Sequence, residues 1–122
     1  MQAGNSKTHP RLVDVPRVGG ERFLALDCAQ LIAPQGPILL EDVTHQRFAD
    51  LTAEALLALA PSTVIMPLFA GAHDALSMVE ALEAMGFRGR ILVIAPPLPR
   101  PALVERELRS AGPGPRLMLV QP

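Results

Sequence analysis

The chain has 122 residues, enough for one domain with a single core, and its 49% hydrophobic against 19% charged residues exclude a disordered polar chain. A net charge of −1, with no Trp or Tyr and only four Phe, provides neither the basic surface nor the stacking platform of a nucleic-acid binder. A single cysteine, Cys28, excludes an internal disulfide and any Cys-based zinc cluster.

Residues 1–20 carry Pro10, Pro16 and the pair Gly19-Gly20 without periodicity, which predicts a mobile arm ahead of one domain over 21–122. The first ten residues are polar and lack the apolar centre of a signal peptide. No run approaches the ~20 apolar residues of a membrane helix, so a cytoplasmic protein with no membrane partner is expected. Lys7 is the one lysine beside ten arginines, a usage that goes with GC-rich bacterial genomes.

The run 22–27 is apolar and long enough for one strand. Ala33-Pro-Gln-Gly-Pro37 signals a turn, and residues 38–41 read as a second strand. A helix is expected from near Thr52, with Glu54 in its positively polarised first turn, up to Pro61. Residues 63–69 are apolar without alternation, the pattern of a parallel strand covered on both faces. Asp74 is placed to cap the next helix, with Leu76, Val79, Leu82 and Met85 as its apolar face and Gly86 at its end. Residues 90–95 form the fourth strand. Pro96, Pro97 and Pro99 stiffen the following loop, and Pro101 opens a helix ending near Ser110. After the break at 112–115, residues 117–120 are the last strand. This alternation predicts an α/β fold with a mostly parallel five-stranded sheet and right-handed crossovers. The linker after the first strand is too short for a full helix, and none is expected after the last.

Residues 63–82 (TVIMPLFAGAHDALSMVEAL) align without a gap on the middle of a two-component receiver domain. The chain resembles a receiver over about 23–120, most specifically over 52–95. That resemblance implies a flavodoxin-like sandwich, three-layer or incomplete two-layer, with its first and last helices reduced or absent. Receivers end the third strand on an aspartate that accepts phosphate. Here Pro67 stands in its place, and proline offers no nucleophile and no N–H. The acid pair that binds magnesium is reduced to Asp27 followed by Cys28. Ala95 or Pro96 takes the place of the hydroxyl residue, and Gln121 or Pro122 that of the lysine. One carboxylate makes a poor magnesium site, since the ion asks for several hard oxygens. The resemblance therefore implies a pseudo-receiver: a non-enzymatic regulatory module without cofactor or metal, binding another protein or a second copy of itself in a bacterium.

The alternative is a small-molecule or nucleotide-binding domain using the loops after the third and fourth strands, with Phe69, Gly71, His73, Asp74, Pro96 and Pro97. The loop 69–73 has one glycine rather than a G-x-G-x-x-G or Walker pattern, so it does not indicate a phosphate cradle. A third reading is metal-assisted chemistry by Glu41, Asp42, His45 and His73. Against it, acids at strand ends and a histidine in a loop are ordinary solvated residues, and Asp74 has its capping role. Ser77, near His73, lies inside a helix rather than on a strained elbow, which argues against a serine nucleophile. Cys28, after an apolar strand, reads as a small buried hydrophobe, and Met66, Met78, Met85 and Met118 as core.

The two helices that this chain lacks lie on the same face of a receiver's sheet. That face is therefore expected to be bare, with more apolar surface than a soluble monomer tolerates. The expectation that follows is a homodimer or an obligate partner, contacting that face and the edge at Leu117, Met118, Leu119 and Val120.

Overall fold

The computed structural model describes residues 13–14, 21–70 and 73–122. Five strands form its main sheet: β1 (Phe23–Leu26), β2 (Val43–Gln46), β3 (Thr63–Pro67), β4 (Arg90–Ile94) and β5 (Leu117–Val120). They are all parallel, in the order β2-β1-β3-β4-β5. This is the doubly wound, flavodoxin-like order, in which the chain leaves β1 toward one side and β2 toward the other.

Register sorts the strand residues into two faces. Leu24, Val64, Ile91 and Leu117 stand in one row across four strands, and all four are buried. Among the described residues three α-helices pack on that side: α1 (Ala53–Leu59), α2 (Ala75–Ala84) and α3 (Pro101–Arg109). Their ends follow local chemistry. The Thr52 hydroxyl accepts from the Ala55 N–H at 3.0 Å, and Ala60 closes α1 in the left-handed region ahead of Pro61. Asp74 Oδ1 accepts from the Ser77 N–H at 2.9 Å. Gly86, at φ 87°, ends α2 as the left-handed residue of a Schellman motif: Phe87 N–H donates to Leu82 O and Gly86 N–H to Glu83 O, both at 3.0 Å. α2 buries Ala75, Met78, Val79 and Leu82, spaced i, i+3, i+4, i+7. Each large one among these contributes roughly 1.5–3 kcal/mol of burial. The expected face was rotated by about one residue: Leu76 is 37% exposed and Met85 only half-buried.

The opposite row is Ala25, Ile65, Leu92 and Met118. It is not the bare surface expected. Ala25, Ile65 and Leu92 are at most 5% exposed, and Phe23 and Ile94 on the same side are buried as well. Their cover is the stretch 28–40, expected as a linker up to Pro37 and as a strand from Ile38. Cys28, Ile32, Ile38 and Leu40 join the sheet residues in one apolar cluster. No α-helix is needed because the backbone bonds locally. A 3₁₀ turn (Ala29–Leu31) is followed by Gly36 N–H to Ile32 O at 3.1 Å and Ala33 N–H to Ile38 O at 2.7 Å. Gly36 sits so close to the preceding turn that a Cβ would lie 2.2 Å from the Leu31 carbonyl carbon. The cover gives out at β5, where Met118 is 52% exposed and not the core residue expected.

The second strand is also corrected. Ile38–Leu39 pairs with Val13–Asp14 in a separate two-residue parallel ladder, while β2 lies further along at Val43–Gln46. An edge strand needs no continuous apolar run, and Thr44 and His45 on it are exposed. Ile38 and Leu40 are apolar because they point down onto the sheet. Of the arm expected to be mobile, residues 1–12 and 15–20 lie outside the described residues.

Candidate functional site

The carboxyl ends of the strands form the edge where open parallel sheets of this order hold ligands, and the switch point falls between β1 and β3. On this edge a cleft of about 650 Å³ opens over the ends of β1 and β2, lined by Asp27, Cys28, Gln30, His45, Arg47 and Phe69 among others. A second cleft of about 420 Å³ adjoins it over β3 and β4, walled by Pro67, Ile94, Pro96 and Pro97. Gln30 and Phe69 belong to both. Phe69 begins a two-residue antiparallel pair, Phe69–Ala70 with His73–Asp74, and its ring is 71% exposed at the junction.

Asp27 follows β1 with φ 55°, a backbone state that Asp tolerates better than most residues. Its N–H donates to Gln46 O at 3.0 Å, and its Oδ2 accepts from the Phe48 N–H at 3.1 Å. Asp27 is thus tied to the loop leaving β2. Arg47 donates from Nε and Nη2 to the two oxygens of Asp50, at 3.0 and 3.2 Å. That hydrogen bonding and charge hold the Asp50 carboxyl below its ordinary range and raise the Arg47 guanidinium above its own. The Cys28 thiol is buried, as expected, with Sγ 3.7 Å from Ile65 O. Burial first, then the neighbouring Asp27 charge, pushes its pKa up to about 12, so it is no nucleophile at neutral pH.

Pro67 ends β3, buried, with Leu68 N–H continuing to Ile94 O at 2.9 Å. Pro67 is here one wall of a cleft whose lining has no charged side chain. Of the loop residues expected to face a ligand, Phe69, Pro96 and Pro97 line the second cleft. Asp74 instead caps α2 and borders a groove of about 290 Å³ between α2 and α3. Gly71 and the side chain of His73 lie outside the described residues. Glu41 and Asp42 are exposed ahead of β2, and His45, expected in a loop, is on that strand and exposed. Among the described residues no group of three or more His, Cys, Asp or Glu is arranged to hold a metal ion.

Gln30 and Arg47 were not legible as lining residues. Gln30 belongs to the cover segment, and Arg47 follows an edge strand whose position was misread. At β5 the outward-facing backbone is already engaged: Arg109 Nε donates to Leu117 O at 2.9 Å, and Glu105 Oε2 accepts from the Leu119 N–H at 2.8 Å. Side chains of α3 thus occupy part of the free edge expected to serve as an interface. Leu117 is buried, and Leu119 and Val120 are half-buried.

No protein family, curated protein or solved structure matches this chain.

Ion pairs gather at the other end of the sheet. Arg90 bonds Glu21 and, through Nε, the buried Thr63 hydroxyl at 3.2 Å. Arg116 joins Glu83 at 2.8 Å and Gly89 O at 2.9 Å. These bonds tie strand starts together, whereas the carboxyl edge keeps its clefts open. Among the described residues no helix is long and apolar enough to cross a membrane.

Proposed function

We propose that this chain is a receiver-like domain that has lost phosphotransfer and acts by binding another protein, as a regulatory module of the bacterial cytoplasm. The observation that carries the reading is Pro67, buried at the carboxyl end of β3 where a nucleophilic carboxylate would have to stand. Two further features support it. One oxygen of Asp27 takes the Phe48 N–H, and the Cys28 thiol is buried and held protonated. These groups leave phosphotransfer without a nucleophile at Pro67, and contact with another protein is the role we assign. Exposed Phe69 and Leu76 beside the groove between α2 and α3, and Met118 on β5, offer apolar contact area. The partner is a protein, and a second copy of this chain is the simplest candidate at Met118.

Incubation with acetyl phosphate and magnesium, followed by intact-mass measurement, tests the loss of phosphotransfer. An unchanged mass is expected, and a stoichiometric phosphate adduct overturns the reading. Light scattering at micromolar concentration tests self-association: a dimer that Met118→Glu dissociates is expected, and a stable monomer confines the proposal to a different protein partner.

A further inference from the structure

We propose that the two adjoining clefts at the carboxyl edge hold one small amphipathic molecule, an apolar body carrying a cationic head. The reading stands apart from protein binding and from Pro67's effect on phosphotransfer. The clefts share Gln30 and Phe69, so one ligand can lie across both. Their chemistry differs. The larger mixes apolar with polar lining, and Asp27 is the one carboxylate among its lining residues. One oxygen of that carboxylate takes the Phe48 N–H, while Oδ1 receives no hydrogen bond from any described residue. Arg47 in the same cleft feels the Asp27 charge, but it is also bonded to both carboxylate oxygens of Asp50, so the three groups together leave one negative charge. An ammonium or similar donor therefore finds an acceptor there, and an anion meets repulsion.

The smaller cleft has no charged side chain in its lining. Its proline walls present ring carbons and no imide N–H, so they favour an apolar body over a polar one. The Phe69 ring stands between the two, 71% exposed, and a flat apolar body laid against it removes that surface from water. A nucleotide is the wrong shape of charge for this pair of clefts.

Tryptamine and indolepropionate carry the same ring with opposite head charges, which makes them suitable probes for the full-length protein by amide-resolved NMR titration. With tryptamine, saturable shifts are expected at Asp27, Gln30 and Phe69, and none of that size with indolepropionate. Asp27→Asn keeps an oxygen for the Phe48 N–H and suits the left-handed backbone, yet should weaken tryptamine at least about fivefold. Phe69→Ala should weaken it comparably. Raising salt should lower the affinity of the unmutated protein, because the head contact is a partly exposed charge pair, and should matter less in Asp27→Asn. Equal binding of the two probes, tryptamine shifts confined to other residues or absent, or an affinity indifferent to salt overturns the proposal.

Discussion

The two faces of the sheet are covered in different ways. On one, α1, α2 and α3 lay regular apolar stripes over Leu24, Val64, Ile91 and Leu117. On the other, residues 28–40, without an α-helix, cover Phe23, Ala25, Ile65 and Leu92 with Ile32, Ile38 and Leu40. Both produce side chains with almost no exposure. A sheet face therefore needs apolar side chains at the right height and satisfied backbone groups above it, and a helix is only one way to supply them. The difference lies in how each cover tolerates change. A helix can shift as a body, whereas the 28–40 cover depends on backbone packed against backbone at Gly36.

The sharpest test of equal burial is a matched pair of truncations. Leu82→Ala under the helices and Ile38→Ala in the irregular cover should each cost about 2–5 kcal/mol in denaturant unfolding, since both sites are fully buried. A cost below ~1 kcal/mol at Ile38 alone would mean that the second cover is loosely held and the comparison fails. Next in size, Gly36→Ala should destabilise by about 1–3 kcal/mol, because the added Cβ meets Leu31 backbone rather than a side chain that can swing away. Hydrogen exchange should then speed up at Ile32 and Ala33 before it does in α2.

Smallest is an effect of pH beneath the irregular cover. The Cys28 thiol has an ordinary value of 9.0 and about 12 when folded, so the folded state keeps its proton longer than the unfolded one. Its contribution is complete below pH 9 and is lost as pH rises from 9 toward 12. At pH 10 the protein should be about 1 kcal/mol less stable than at pH 8 through this group, and Cys28→Ala should remove that part of the slope. A wild-type slope equal to the variant's would show that the thiol is open to water.

The helical face was readable because its signals are local. Thr52, Asp74, Gly86 and Pro101 act through neighbours within a few residues, and all four mark helix ends where expected. The irregular cover was not readable, since Ile32, Ile38 and Leu40 have no common period and the prolines around them announce only a turn. The misplacement of β2 has the same origin. An apolar run at 38–41 looks more like a strand than Val43-Thr-His-Gln46 does, and only pairing with β1 distinguishes them. Half of the candidate site was visible as well: Phe69, Pro96 and Pro97 follow strands that were correctly located. Asp27 was visible as an acid, but its bond to the Phe48 N–H, 21 residues away, was not.

By itself the sequence determined the α/β class, the helix ends, the burial of Cys28 and the absence of a nucleophile at Pro67. Each of these depends on residue identity and on contacts a few positions apart. The tertiary structure alone decided which strand stands at the edge, what lies on the second face, and that Gln30, Arg47 and Phe69 meet at one cleft. Those outcomes depend on pairings between residues 20 or more apart along the chain. Burial there is set by whichever segment reaches the sheet and leaves no polar group unbonded, and no local pattern encodes that choice.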